Sequence, residues 1–186
     1  MQEELLIKQA QNGATSSFSQ LVALYQPRLC QYLLSRCYRE EDVDDIIQET
    51  FISAYHYIKS YNPRWAFSTW LFTIARRLLG KHNRAYFDAQ NVHLDDHEEM
   101  FVVDDYEIDR NNIWLHVKKS VSVEAYDVLW FYYAEELSLK EIAYIMKRTL
   151  SWVKIMLYRS KNKLAKQASI QELSKGFLRD EAYETH

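Results

Sequence analysis

Apolar residues recur at intervals of three and four along most of the chain, the period of helices buried along one side. An amphipathic segment over 3–11 ends at Asn12 and Gly13, a helix stop. A second helix is expected from Thr15–Ser17, whose side chains suit an N-cap, with Phe18, Leu21, Val22, Tyr25, Leu29, Tyr32 and Leu33 inward. Pro27 removes a backbone donor inside that run and predicts a kink with the helix continuing. A third helix over about 41–59 has the stripe Val43, Ile46, Ile47, Thr50, Phe51, Ala54 and Ile58. Pro63 then biases Asn62 away from helical geometry. A fourth helix over about 67–84 turns Phe67, Trp70, Leu71, Ile74, Ala75 and Leu78 inward.

The polar positions change character between the third and fourth helices. On the third, Asp42, Asp45 and Glu49 align at i, i+3 and i+7 with Asp44 beside them. Acids early in a helix are favoured by its macrodipole, but like charges three and four apart repel. Such a face is either solvated surface or a docking site for a basic partner. From Lys59 to Arg84 there are six Lys or Arg and no carboxylate. Arg77, Lys81 and Arg84 share one side of the fourth helix, with Thr73, Arg76 and Asn83 alongside. An uncompensated basic stripe suits a phosphate backbone, and Tyr61, Trp65 and Phe67 before it are candidate stacking surfaces. Core packing is the competing role for these aromatics, assigned to Trp70 and left open for Trp65.

From Asp88 to Asp109 the pattern lapses, with nine acids, no Lys or Arg and no apolar period. A flexible acidic linker is expected, and with it a domain boundary. His93 and His97 have ligand spacing there, but no predicted helix holds them on one face, so no metal site is assigned. Ile113, Val117 and Val121 suggest a short helix and 123–134 a second. Ser138 and Glu141 then form a capping box opening a helix with Ile142, Ala143 and Met146 inward. Thr149 can cap the next helix, with Val153, Leu157 and Leu164 inside and Lys154, Tyr158, Arg159, Lys161 and Lys163 outside. Two short helices about four residues apart, the second basic, fit a helix-turn-helix whose second member enters the major groove.

Composition narrows the class. Only three Gly and two Pro in 186 residues, with nearly half the residues apolar, indicate an all-α protein. No leader or membrane span is evident, so a cytoplasmic location is expected. Cys30 and Cys37, seven apart on a predicted helix, lie about 10 Å from each other and are read as reduced and half-buried. The net charge of −3 would discourage nucleic acid, but its distribution matters more than its total.

The segments DDIIQETFISAY, FSTWLFTIARRLLGKHNR and LSLKEIAYIM with VK and LYRSKNKL, in that order, resemble a bacterial sigma factor of the extracytoplasmic-function (ECF) group. The resemblance implies a σ2-like helical bundle over 1–88, a linker over 89–110, a σ4-like helix-turn-helix domain over 111–168 and a C-terminal tail over 169–186. It implies a non-enzymatic transcription initiation factor without cofactor, metal or small-molecule substrate. Its expected partners are core RNA polymerase (β′ clamp helices and β flap), promoter DNA and an anti-sigma factor, which could hold it at the inner membrane face. Asp42, Asp45, Gln48, Glu49 and Ile52 would meet the clamp helices. Tyr61, Asn62, Arg64, Trp65, Arg76, Arg77, Lys81 and Arg84 would read a −10 element, where a base is flipped from the stack. Arg148, Ser151, Trp152, Lys154, Ile155, Tyr158, Arg159, Lys161 and Lys163 would serve a −35 element, Arg159 being the best donor to guanine.

Four positions depart from the family pattern. Glu136 and Lys147 stand where turns often have Gly, so a left-handed backbone there would cost roughly 1 kcal/mol. Arg148 replaces an apolar plug, and Ile155 a commonly polar residue that would then favour a thymine methyl. Two other classes compete. A helix-turn-helix regulator acting without polymerase would leave the acidic helix without a purpose, and a metal enzyme around His93 and His97 lacks a second ligand set on a rigid element.

Overall fold

The structure, a computed structural model, describes residues 2–89 and 113–166. Every regular element among them is helical: α1 (Gln2–Gln11), α2 (Thr15–Arg36), α3 (Asp42–Tyr57), a 3-10 turn (Ile58–Ser60), α4 (Phe67–Ala89), α5 (Ile113–Ser120), α6 (Val123–Tyr133), α7 (Leu139–Met146) and α8 (Leu150–Ala165). Their spacing into short connections follows from stop signals in the sequence. Gly13 adopts φ 95° and its N–H reaches Ala10 O at 2.9 Å, closing α1 as the Asn-Gly pair predicts. The helix through Pro27 continues unbroken from Thr15 to Arg36. The expected linker beyond Ala89, the His93 and His97 pair and the tail over 169–186 lie outside the described residues.

The described residues divide into two compact units. The first comprises α1 to α4 together with Lys140–Lys147, which takes in nearly all of α7. Its core is formed where α2, α3 and α4 meet, from the fully buried Leu21, Leu29, Tyr32, Leu33, Ile46, Ala54, Leu71, Phe72 and Ala75. The stripe predicted for α3 is buried throughout. Tyr32 meets Phe72 edge to face at 5.6 Å, a geometry that adds to the area buried. The predicted cap of α2 is replaced by another contact. Ala14 occupies the N-cap, and the Ser17 hydroxyl instead donates to Gln9 Oε1 at 2.7 Å, tying α2 to α1. Asn83, expected beside the basic residues, is buried: its Nδ2 donates to Arg36 O at 3.3 Å and its Oδ1 accepts from Tyr38 N at 3.4 Å. Side-chain capture of that chain segment accompanies the end of α2. Cys30 and Cys37 are both half-buried free thiols, and burial pushes the Cys37 thiol up from its ordinary pKa.

The second unit packs α5, α6 and α8 together. In α6, Val123 and every residue from Ala125 to Phe131 are buried, which makes it the central helix rather than an amphipathic surface one. Trp114 lies against Tyr126 and Trp130, with the Trp130 centroid 4.7 Å away. Ser122 caps α6 through Ala125 N, and Thr149 caps α8 by accepting from Trp152 N at 3.2 Å. Val153 and Leu157 face inward as predicted, joined by Ser160, whereas Leu164 is only half-buried near the helix end. In α7 the third inward residue is Ile145, with Ala143 half-buried. The two turn positions both adopt the left-handed backbone, Glu136 at φ 53° and Lys147 at φ 52°. These conformations place a Cβ against the following carbonyl, the strain that Gly avoids. Lys147→Gly and Glu136→Gly are each expected to raise stability by about 1 kcal/mol, and Thr149→Ala to lower it by about 1 kcal/mol. Urea midpoints at unchanged slope measure all three.

Candidate partner and nucleic-acid surfaces

Burial of the α3 stripe dictates where its acids go. Asp45 and Gln48 are exposed, Ile52 is 51% exposed, and Asp42 and Glu49 lie half-buried beside them on the same face. A single exposed isoleucine is ordinary on a protein surface, but together with the acids it gives this face the chemistry to meet basic and apolar groups. Asp42 pairs loosely with Arg39 at 4.0 Å.

The contrast between acidic and basic halves is bridged in space. Glu49 Oε2 stands 3.9 Å from Lys81 Nζ, and Glu49 Oε1 lies 3.3 Å from His82 Nε2. The two helices thus touch through opposite charges along a seam between the faces. With Lys81 largely exposed, such a pair contributes less than about 1 kcal/mol, so a stronger partner for either side chain displaces it. His82 had no role in the sequence pattern, because its neighbour Glu49 is 33 residues away.

On α4, Arg77, Lys81 and Arg84 are exposed along one side, and Arg76 is half-buried. The loop ahead of the helix departs from expectation. Tyr61 is buried, 8% exposed, and so is not a free stacking surface, while Phe67, 1% exposed, takes the inward place that the α4 stripe gave it and not the stacking role. Their rings meet at 5.5 Å, and Trp70, half-buried, lies against both. The Tyr61 hydroxyl donates to Trp65 O at 2.7 Å. Asn62 Oδ1 accepts from Arg64 N at 2.9 Å, a local turn that Asn readily makes. Asn62, Pro63 and Arg64 are exposed at the tip, and Trp65 is half-buried. The Trp65 ring stacks on Tyr144 of α7 at 4.8 Å, with the Arg64 guanidinium 5.8 Å from its centroid. Glu141, predicted to complete a capping box, accepts from the Thr69 hydroxyl at 2.9 Å.

On α8, Ser151, Lys154, Ile155, Tyr158 and Arg159 are exposed and recur at i, i+3, i+4, i+7 and i+8, one continuous face. Lys163 is exposed as well, while Trp152 and Lys161 are half-buried, and burial pulls the Lys161 ammonium below its ordinary pKa. Arg148 is not packed as a plug. It donates to Glu124 Oε1 at 2.9 Å and lies over the Trp152 ring at 5.3 Å, contacts invisible in the sequence because Glu124 belongs to α6. A phosphate at Arg148 therefore competes with Glu124.

Part of the first unit is similar to a known family. Residues 21–85 match the model of sigma-70 region 2. The chain is 38% identical over 73 residues to an ECF RNA polymerase sigma-E factor of Haemophilus influenzae, covering 39% of this chain and 38% of that one. It is 39% identical over 72 residues to the RNA polymerase sigma factor CnrH of Cupriavidus metallidurans, with the same coverage. The matched segment thus spans well under half the length of these relatives. The fold is shared with CnrH in complex with the cytosolic domain of CnrY (TM-score 0.65, 22% identity, 95% of this chain and 99% of that one). It is shared too with the sigma factor RpoE of Bartonella quintana in complex with the anti-sigma factor NepR (TM-score 0.62, 20% identity, 85% and 96%). Within the first unit, residues 21–85 are thus similar to sigma-70 region 2, and the matched segment is similar in sequence to that of ECF sigma factors.

The burial pattern separates scaffold from surface. Phe67→Ala is expected to cost roughly 3–5 kcal/mol and Arg77→Ala less than about 0.5 kcal/mol, compared by thermal unfolding. Equal shifts would contradict the inward placement of Phe67.

Proposed function

We propose that the protein binds core RNA polymerase and directs initiation at a restricted set of promoters, acting as a non-enzymatic subunit in the cytoplasm. The observation that carries this reading is the apposition, within a sigma-70 region 2, of an exposed acidic and apolar α3 face with an exposed basic α4 face. Asp42, Asp45, Gln48, Glu49 and Ile52 form the handle for the β′ clamp helices. Asn62, Arg64, Trp65, Arg76, Arg77, Lys81 and Arg84 serve the −10 element, with Tyr61 beneath the loop.

Residues 111–168 form the −35 reading domain, which also meets the β flap, and residues 89–110 tether it. On α8, Lys154, Ile155, Tyr158 and Arg159 face base edges, and Ser151, Trp152, Lys161 and Lys163 lie toward phosphates. Arg148 joins them when it leaves Glu124. Two proteins sharing the fold are bound in their structures by CnrY or by the anti-sigma factor NepR, and this supports an inhibitory partner here.

Run-off transcription with core polymerase tests the reading. The chain should direct initiation at promoters selected from a randomised library and co-purify with core enzyme; an operator-binding protein without polymerase would do neither. Asp45→Lys should weaken polymerase binding at least 10-fold with the fold intact. It is a cleaner probe than reversal of Glu49, which would also set a positive charge against Lys81 and His82. Lys154→Ala with Arg159→Ala should spare polymerase binding and weaken −35 recognition, each side chain being worth about 1–3 kcal/mol if it contacts a base.

A further inference from the structure

We propose that Gln11 and Tyr61 are positioning residues for promoter opening: neither touches DNA, and together they hold the 62–66 loop in the shape that receives the −10 strand. The inference rests on the sigma-factor reading above and gives α1 a role that its amphipathic pattern does not suggest.

The geometry is that of a braced loop. Gln11, the last residue of α1, directs one amide nitrogen at two backbone carbonyls, Ile58 O at 3.1 Å and Tyr61 O at 3.2 Å. Its Nε2 carries two N–H groups, one for each. Ile58 opens the 3-10 turn and Tyr61 is its C-cap, so the two carbonyls bracket the turn and Gln11 spans it. Ile58 O already accepts from Tyr61 N at 3.1 Å, so Gln11 engages its second lone pair. From the other side the Tyr61 phenol crosses the loop to Trp65 O at 2.7 Å. Burial first, and the Glu3 carboxylate second, raise the Tyr61 pKa, so the phenol stays protonated and remains a donor. The buried Tyr61 and Phe67 rings close the base of the loop.

Between these anchors Asn62, Pro63, Arg64 and Ala66 are exposed, and none of the bracing bonds uses a side chain of the last three. A loop with fixed ends loses less conformational freedom on capturing a strand than an unbraced one. The bracing bonds are made before DNA arrives, which is the arrangement that preorganisation requires.

Gln11→Met keeps the length of the side chain and deletes both donors; Tyr61→Phe deletes one oxygen. Each full-length variant is assembled with core polymerase and assayed on fork-junction DNA with a single-stranded −10 segment from a promoter selected by the wild type. Each should weaken fork-junction binding roughly 5–10-fold, the scale of one or two hydrogen bonds, with core-polymerase affinity within about twofold of wild type. The double variant should lose less than the product of the single losses, because both act on one loop. The salt dependence of binding should keep its wild-type slope, whereas Arg77→Ala should reduce it by about one, as for a lost phosphate contact.

Tyr61→Phe carries the test should Gln11→Met not fold. Wild-type binding in Tyr61→Phe, a reduced salt slope, or a parallel loss of core-polymerase affinity would each overturn the proposal. A wild-type holoenzyme that binds no promoter would instead sink the sigma-factor reading, before any variant is compared.

Discussion

The burial of one side of α4 is the constraint from which the rest of the first unit follows. Phe67, Leu71, Phe72, Ile74, Ala75, Leu78 and Leu79 are withdrawn from water against α2 and α3, and each large side chain contributes about 1.5–3 kcal/mol by doing so. With that side committed, Arg77, Lys81 and Arg84 have nowhere to go but outward. The same burial fixes α3, whose own apolar stripe must meet α4, and this turns Asp45, Gln48 and Ile52 into solvent. Charge separation between the two faces is thus a by-product of one hydrophobic contact, and no electrostatic term needs to organise it. The Glu49 contacts with Lys81 and His82 sit at the edge of this arrangement as a weak link between the two faces.

The second unit solves a similar problem with a different helix. A short α6, buried almost all round, serves as the post on which α5 and α8 pack. Its aromatic residues supply much area per residue, as a small domain needs. The exposed basic face of α8 is then whatever Val153, Leu157 and Ser160 do not bury. Left-handed Glu136 and Lys147 keep the turns short at an energetic cost, a compromise of local strain for connection geometry.

Periodic features were legible in the sequence and solitary ones were not. The stripes of α3 and α8, the Gly13 stop and the Thr149 cap each leave a regular or local signature, and all were found where the pattern put them, Leu164 excepted. Tyr61 was harder because an aromatic residue in a loop has no period to reveal its direction; only packing with Phe67 and Trp70 settles it inward. Asn83 shares a helical side with basic residues by spacing, yet a polar residue can be buried when backbone groups await it, as those of Arg36 and Tyr38 do. Arg148 with Glu124, and Glu49 with His82, join residues far apart in the chain, and nothing local encodes such pairs. Gln11 belongs to the same class. One amide at a helix end carries no pattern until the turn it braces is folded beside it.

The braced loop has an evolutionary consequence. Its supports are backbone carbonyls and buried rings, so they are indifferent to which side chains occupy positions 63, 64 and 66. Mutations at those positions alter the chemistry the tip presents without disturbing how the loop is mounted or how α3 packs against α4. A chain built this way can be duplicated and varied by a few substitutions at the tip, while the packing beneath stays under unchanged selection.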